Sequence, residues 1–258
     1  MTELADIDID ELVAKLKDPA LHEAVRKHAF YCYPDEGCGI LTRSQGLVAL
    51  KNVAPDARHT FDCSAELAPY LEAGEVLAFI HSHPDGPHAP SAFDMSQQQA
   101  MDVPWGLIST DGTGYLPLFF WGDMLPPPPL EGRPFRYGPS GTDGRGDCAA
   151  LVRDWFRLER GIELPEFPRE YRWWRKPNVS YHQNLLDAGF IEADRHDPHI
   201  GDVFLARIGE HQANHAGVYV GKGEFLHHLE NRLSTIDNAV LYQRFIYGWY
   251  RHERLAKD

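Results

Sequence analysis

Four consecutive prolines, residues 126–129 in the stretch DMLPPPPLEGRP, constrain this chain more than any other feature. Proline has no backbone N–H and a fixed φ, so neither a helix nor a central strand runs through such a segment. Its favoured conformer is extended polyproline geometry, which acts as a short, semi-rigid spacer. The run falls near the middle of 258 residues, of which 43% are hydrophobic. This predicts two domains of ordinary size, 1–124 and 133–258, each able to bury a core, joined by a spacer over 125–132. The alternative is a proline-rich loop inside a single domain.

The first half alternates element types. Residues 9–30 read as helical, with Leu12, Val13, Leu16, Leu21 and Val25 at helical spacing. Strand patterns follow in GCGILT, LVALKNV and HTFDCS, a short helix in AELAPYLEA, and a buried strand in EVLAFIHSH. SAFDMSQQQAMD predicts a helix, and WGLIS and YLPLFFW two further strands. The pattern predicts an α/β sandwich. In the second half, DCAALVRDWFRLERG and YHQNLLDAG read as helices. GDVFLAR, NHAGVYVGKG, EFLHHLEN and VLYQRFIYGWYR then read as strands separated by glycine turns. Helices followed by a meander predict an α+β domain.

Composition excludes several classes. A formal net charge of −13, with no cluster of Lys or Arg, argues against a nucleic-acid partner. No apolar run approaches the ~20 residues that span a bilayer, so membrane insertion is not expected. The acidic start, MTELADIDIDELV, lacks a basic region followed by an apolar one, which predicts synthesis without a secretory leader. Cys32, Cys38, Cys63 and Cys148 are widely spaced in a long chain, so free thiols rather than a disulfide framework are expected.

The stretch HSHPDGPHAPSAFD, residues 81–94, is crowded with groups that bind metals or move protons. Side chains alternate along a strand, so His81 and His83 point the same way at the end of the EVLAFIHSH strand. A loop and one helical turn could return the Asp94 carboxylate as a third ligand. Two imidazoles and one carboxylate suit Zn2+ and leave a fourth position for water, whose pKa a bound zinc lowers to about 7. Glu36, in DEGCGIL, is the candidate general base. Read without a metal, Ser91 and Asp94 form an S-x-x-D helix cap, and His88 is a solvated loop residue.

Glu36, His81-Ser82-His83-Pro84 and Pro90-Ser91-Ala92-Phe93-Asp94 together resemble the motif of the JAMM metallopeptidases, E…H-x-H-P-x5-P-S-x-x-D. The resemblance covers roughly residues 10–122 and implies a JAMM-like α/β sandwich that cuts peptide or isopeptide bonds. It also implies residue roles. His81, His83 and Asp94 would bind zinc, Glu36 would shuttle the proton, and Ser91 would hydrogen-bond the developing oxyanion.

Cys148 opens a predicted helix, where partial positive charge and free N–H groups favour the thiolate. His215 in NHAGVYV is its candidate base. A hairpin turning at Gly221–Gly223 would set His227 across from His215, where it could orient that base. His228 is expected to face away from His227 and to take no catalytic part. Cys32, Cys38 and Cys63 lack such partners and read as structural.

GDCAALVRDWF and HAGVYVGKGEFLHH resemble the NlpC-type, papain-like cysteine peptidases, over about residues 133–250. This implies an α+β papain-like domain with Cys148 as nucleophile, His215 as base and His227 as orienting residue. The family mostly cleaves peptidoglycan stem peptides. It often carries Y-x-Y-G before the cysteine; here the run is Phe135-Arg136-Tyr137-Gly138, so the first ring has no hydroxyl. Backbone N–H groups near Cys148 would then carry more of the oxyanion load.

The order of these two domains resembles a family of tail tip assembly proteins of long-tailed phages. That resemblance implies other tail tip proteins as partners and peptidoglycan peptides as substrate. It implies synthesis in the host cytoplasm and action from the virion tail tip at the cell wall. Two rivals stay open: a structural tail-tip protein with vestigial sites, and a cellular isopeptidase acting on protein tags.

Overall fold

The computed structural model describes residues 7–177 and 179–256, so residues 1–6 of the acidic N-terminal stretch lie outside the described residues. The chain divides into two compact units. The first runs to Pro126 and takes in Gly141–Asp143; the second holds Pro127–Ser140 and everything from Gly144 onward. Within the second unit, the carbonyls of prolines 128 and 129 accept hydrogen bonds from the buried Arg133 guanidinium at 2.8 and 3.2 Å.

The first unit is an α/β sandwich. The 9–30 segment forms two helices, α1 (Ile9–Leu16) and α2 (Pro19–Cys32), not one. The break is chemical: Asp18 caps α2 through Ala20 N–H, and Pro19 sits at its first turn. Strands β1 (Cys38–Thr42), β2 (Gly46–Leu50), β3 (Val76–Pro84), β4 (Trp105–Thr110) and β5 (Tyr115–Trp121) form one sheet in the order β2-β1-β3-β4-β5. Only β3 and β4 pair in parallel, joined through helix α4 (Ala92–Met101). Leu12, Leu16, Leu21 and Val25 of the first two helices pack with Leu77, Ile80, Ile108 and Phe120. On the opposite side, Leu67 of α3 (Ser64–Glu72) packs with Phe79, Trp105, Leu107 and Trp121. Burial on both sides explains why β3 reads as a continuous apolar run.

HTFDCS does not form the expected strand. The Asn52 side chain binds two of its backbone groups instead: Nδ2 donates to the Thr60 carbonyl at 3.0 Å, and Oδ1 accepts from Asp62 N–H at 3.0 Å. With those groups bonded to one amide, no ladder partner is needed.

The second unit is α+β. Helix α5 (Cys148–Arg160) ends at Gly161 in the left-handed region, and α6 (Tyr181–Asp187) follows. Six antiparallel strands are ordered β10-β9-β8-β7-β11-β6. They are β6 (Phe190–Glu192), β7 (Val203–Ala206), β8 (His215–Gly221), β9 (Glu224–His227), β10 (Thr235–Asn238) and β11 (Ile246–His252). Val152, Trp155 and Phe156 of α5 pack on Val203, Leu205, Ala216 and Val218, while Phe204 and Phe225 build a smaller cluster under Tyr242 and Trp249. The expected strand over 240–251 is shortened. Asn238 caps a single 3-10 turn, Ala239–Leu241, and only Ile246–His252 is extended. No helix among the described residues is long and apolar enough to cross a membrane.

Candidate active sites

The first site lies at the C-terminal end of β3. His81 and His83 share a strand face with Phe79, against whose ring His81 stacks. Their Nε2 atoms are 3.2 Å apart, and Asp94 Oδ2 lies 3.4 Å from the first and 3.2 Å from the second. A tetrahedral zinc with bonds of ~2.0–2.1 Å requires ligand atoms about 3.3 Å apart. All three separations match, so the residues fit such an ion. Among the described residues, these three form the one group of His, Cys, Asp and Glu able to hold a metal. His83 Nδ1 is bonded to the Pro87 carbonyl at 3.1 Å, which makes it the N–H and leaves the Nε2 lone pair free to ligate. Burial raises Asp94, but the two imidazoles outweigh it and hold the carboxyl well below its usual range.

The helix-cap reading of Ser91 and Asp94 also holds. Ser91 N–H donates to Asp94 Oδ2 at 2.7 Å, and Asp94 N–H donates to Ser91 Oγ at 3.1 Å. One carboxylate oxygen thus anchors α4 and faces both imidazoles. Glu36 is held beside this group by Ser82, between the two histidines. Ser82 Oγ accepts from Gly37 N–H at 2.8 Å, and Ser82 N–H donates to the Gly37 carbonyl at 2.9 Å. Glu36 is buried, and burial, aided by the Asp94 charge and opposed by His83, pushes its carboxyl up to about 7. His88 is half-buried and bonded to Ser109 at 3.1 Å, not solvated in a loop.

The second site is a cleft of about 250 Å³ that Cys148, His215 and Tyr137 line together with Trp174 and Arg232. Asp147 caps α5 through Ala150 N–H and also accepts from Gly138 N–H. His215 Nε2 lies 3.0 Å from His227 Nδ1. The two are not directly opposed, as the sequence suggested. The strand register shifts between Tyr219 and Gly221, and the residue facing His227 is Gly217. The imidazoles meet on the diagonal of one sheet face, within reach of long side chains. His227 is tied in turn to Asp237 Oδ2 at 3.1 Å, a partner that polar TIDN gave no sign of.

The thiolate expectation is corrected. Burial, with the Asp147 charge adding to it, pushes the Cys148 thiol up to about 12, and the Ala216 N–H and Tyr181 hydroxyl only partly offset this. Burial drives His215 well below its ordinary value. Cys32, Cys38, Cys63 and Cys148 are all free thiols.

His228 is fully buried, lines the same cleft, and is pushed down to about 4 by burial and by the Arg133 guanidinium. An unfolded histidine titrates near 6.5. Between those values the unfolded chain binds the extra proton, so stability rises with pH there and is fully present above about 6.5. The second unit is therefore expected to weaken as pH falls from 6.5 to 4, by at most ~1.4 kcal/mol per pH unit for each such histidine. Hydrogen exchange of the β8 amides across this range checks it, and His228→Phe should flatten the slope.

Both halves match family models: prokaryotic homologs of the JAB domain over residues 18–121, and the NlpC/P60 family over residues 132–253. The fold and sites thus define a protein that joins a JAB-type domain to an NlpC/P60-type domain. The chain is 32% identical to tail tip assembly protein K of Escherichia phage N15, covering 91% of each chain. It is 36% identical to tail tip assembly protein K of Escherichia phage lambda, over 69% of this chain and 83% of that one. It belongs to the tail tip assembly protein K family. It is also 36% identical to murein DD-endopeptidase MepH of Escherichia coli K12, over 37% of this chain and 31% of that protein.

Proposed function

We propose that this chain is a two-site peptidase of a phage tail tip, with its sites on either side of the proline spacer at 125–132. The cysteine site would cut peptidoglycan stem peptides during DNA entry. The metal site would cut a wall peptide or process a tail protein, and other tail tip proteins would be its partners. The observation that carries this reading is that each unit gathers its reacting groups: His81, His83 and Asp94 with Glu36 in one, and Cys148 with His215 and His227 in the other. The likeness of this chain to a murein endopeptidase supports the wall as substrate.

In the first unit, His81 Nε2, His83 Nε2 and Asp94 Oδ2 would hold zinc, which when bound supplies Lewis acidity and an acidified water. Glu36, poised near 7, takes the proton of the attacking water and passes it to the leaving amine. Ser91 Oγ already accepts from Asp94 N–H, so its own O–H is free to donate to the developing oxyanion. In the second unit, His215 takes the Cys148 proton as the sulfur attacks the carbonyl carbon. The same proton goes to the leaving amine, and water then resolves the acyl-enzyme. His227 holds His215 in orientation, and the unpaired N–H groups of the first turn of α5 receive the oxyanion.

The test is to measure bound metal and to digest purified peptidoglycan with wild type, Glu36→Ala and Cys148→Ala. Stoichiometric zinc is expected, with stem-peptide cleavage by the cysteine site lost in Cys148→Ala and kept in Glu36→Ala. A chelator should spare the wall cleavage that a thiol alkylator abolishes. Full wall cleavage by Cys148→Ala, or a metal-free wild type, would sink the corresponding site.

A further inference from the structure

We propose that Asp237 is a positioning residue of the cysteine site, extending His215 and His227 into a hydrogen-bonded relay that leaves His215 Nδ1 free to take the thiol proton. The inference rests on the cysteine-peptidase reading above.

Asp237 lies on β10, the edge strand beside β9, where Thr235 is the residue opposite His227. Asp237 is two residues further along and so shares that face, reaching His227 across the diagonal as His227 reaches His215. The contacts run in series: His215 Nε2 to His227 Nδ1 at 3.0 Å, His227 Nε2 to Asp237 Oδ2 at 3.1 Å, and Tyr242 O–H to the same oxygen at 2.8 Å. The Tyr242 ring also packs edge-on against His227, 4.6 Å between centroids. The carboxylate is therefore fixed by a second donor and by the ladder.

Proton placement follows from which groups can donate. An ionised carboxylate only accepts, so His227 Nε2 must carry the hydrogen. A neutral His227 then has a lone pair at Nδ1, which can only accept. Its partner, His215 Nε2, must be the N–H. A neutral His215 keeps its remaining lone pair at Nδ1. One acceptor at the sheet edge thus sets two tautomers in turn, as the third member of a triad sets one. Burial of both imidazoles favours these neutral forms.

The variants are Asp237→Leu, which cannot accept, Asp237→Asn, whose carbonyl oxygen still can, and Tyr242→Phe. Three readouts apply to the full chain: peptidoglycan cleavage, the rate at which iodoacetamide alkylates Cys148, read by peptide mass, and 15N chemical shifts of labelled His215 and His227. Asp237→Leu should lower kcat and the alkylation rate about 10- to 100-fold, the range for partners that orient a ligating histidine from one bond away, with KM within about twofold. Its 15N spectrum should lose the single Nε2–H tautomer of His215. Asp237→Asn should stay within about threefold of wild type, and Tyr242→Phe should fall less than Asp237→Leu. An unchanged His215 tautomer, or wild-type kcat and alkylation in Asp237→Leu, overturns the relay. Should Asp237→Leu fail to fold, the wild-type 15N spectrum still decides: a His215 that carries its hydrogen on Nδ1 overturns the relay. If the wild type cuts no peptidoglycan, the functional reading fails, while tautomers and alkylation still decide the relay.

Discussion

Arg169→Leu is expected to cost the C-terminal unit about 3–5 kcal/mol, the loss seen when one partner of a buried ion pair is removed. For a unit of this size that is a fall in melting temperature of roughly 10–20 °C. The Arg169 side chain is fully buried and grips Asp147 with two bonds, Nε to Oδ2 at 2.7 Å and Nη2 to Oδ1 at 3.0 Å. The same guanidinium bonds Glu166 and the Phe167 carbonyl and lies over the Phe167 ring. Leucine would leave the Asp147 carboxylate buried without this bidentate partner, and Asp147 is the cap on which Cys148 stands. Cleavage by the cysteine site should fall with stability. Adding Asp147→Asn to Arg169→Leu should recover part of the loss, because an amide oxygen can still cap Ala150 N–H without stranding the Asp147 charge, while Glu166 keeps Arg153 at 3.9 Å. Denaturant unfolding of the two single variants and the double variant measures the coupling. A single Arg169→Leu as stable as wild type would refute the clamp.

How far the sites could be read from sequence depended on how local each signal was. His81 and His83 were legible because strand alternation is fixed by backbone geometry and EVLAFIHSH is a strong strand. Asp94 was legible because a cap sequence starts a helix at a known place, so its direction followed from one turn. Glu36 could be named but not placed. It reaches the group through Ser82 and Gly37, a contact that joins two strands distant in sequence. Asn52 explains the lost HTFDCS strand, and only the tertiary structure reveals how many backbone groups one amide satisfies. Asp237 left no trace, since TIDN has a polar pattern and becomes a strand only by pairing with β9. The Cys148 thiol shows the opposite error. Its helix N-terminus was correctly read, yet burial outweighs that local field, and burial is not written in a heptad or a motif.

Gly217→Ala is the second change with a large expected effect, and its cause is space. A Cβ at Gly217 would sit 2.5 Å from Phe204 Cε1 and 2.7 Å from the Leu226 carbonyl oxygen. The phenyl ring could turn aside, but the carbonyl belongs to the backbone of β9 and is held in the ladder with β8. The methyl must therefore push β9 away from β8 at the pair Gly217 and His227. Overpacking of this kind costs about 1–3 kcal/mol. The chemical loss should be larger, because the displacement falls on the 3.0 Å bond between His215 and His227. A misplacement of about 1 Å in a reacting group can cost ~100-fold in rate. Gly217→Ala is thus expected to keep its fold yet lose on the order of 100-fold in kcat for wall cleavage. Phe204→Leu added to Gly217→Ala separates the two contacts. It opens room on the ring side only, so it should restore some stability and little rate. Full recovery of rate in that double variant would assign the clash to Phe204 alone and leave the β9 backbone without a role.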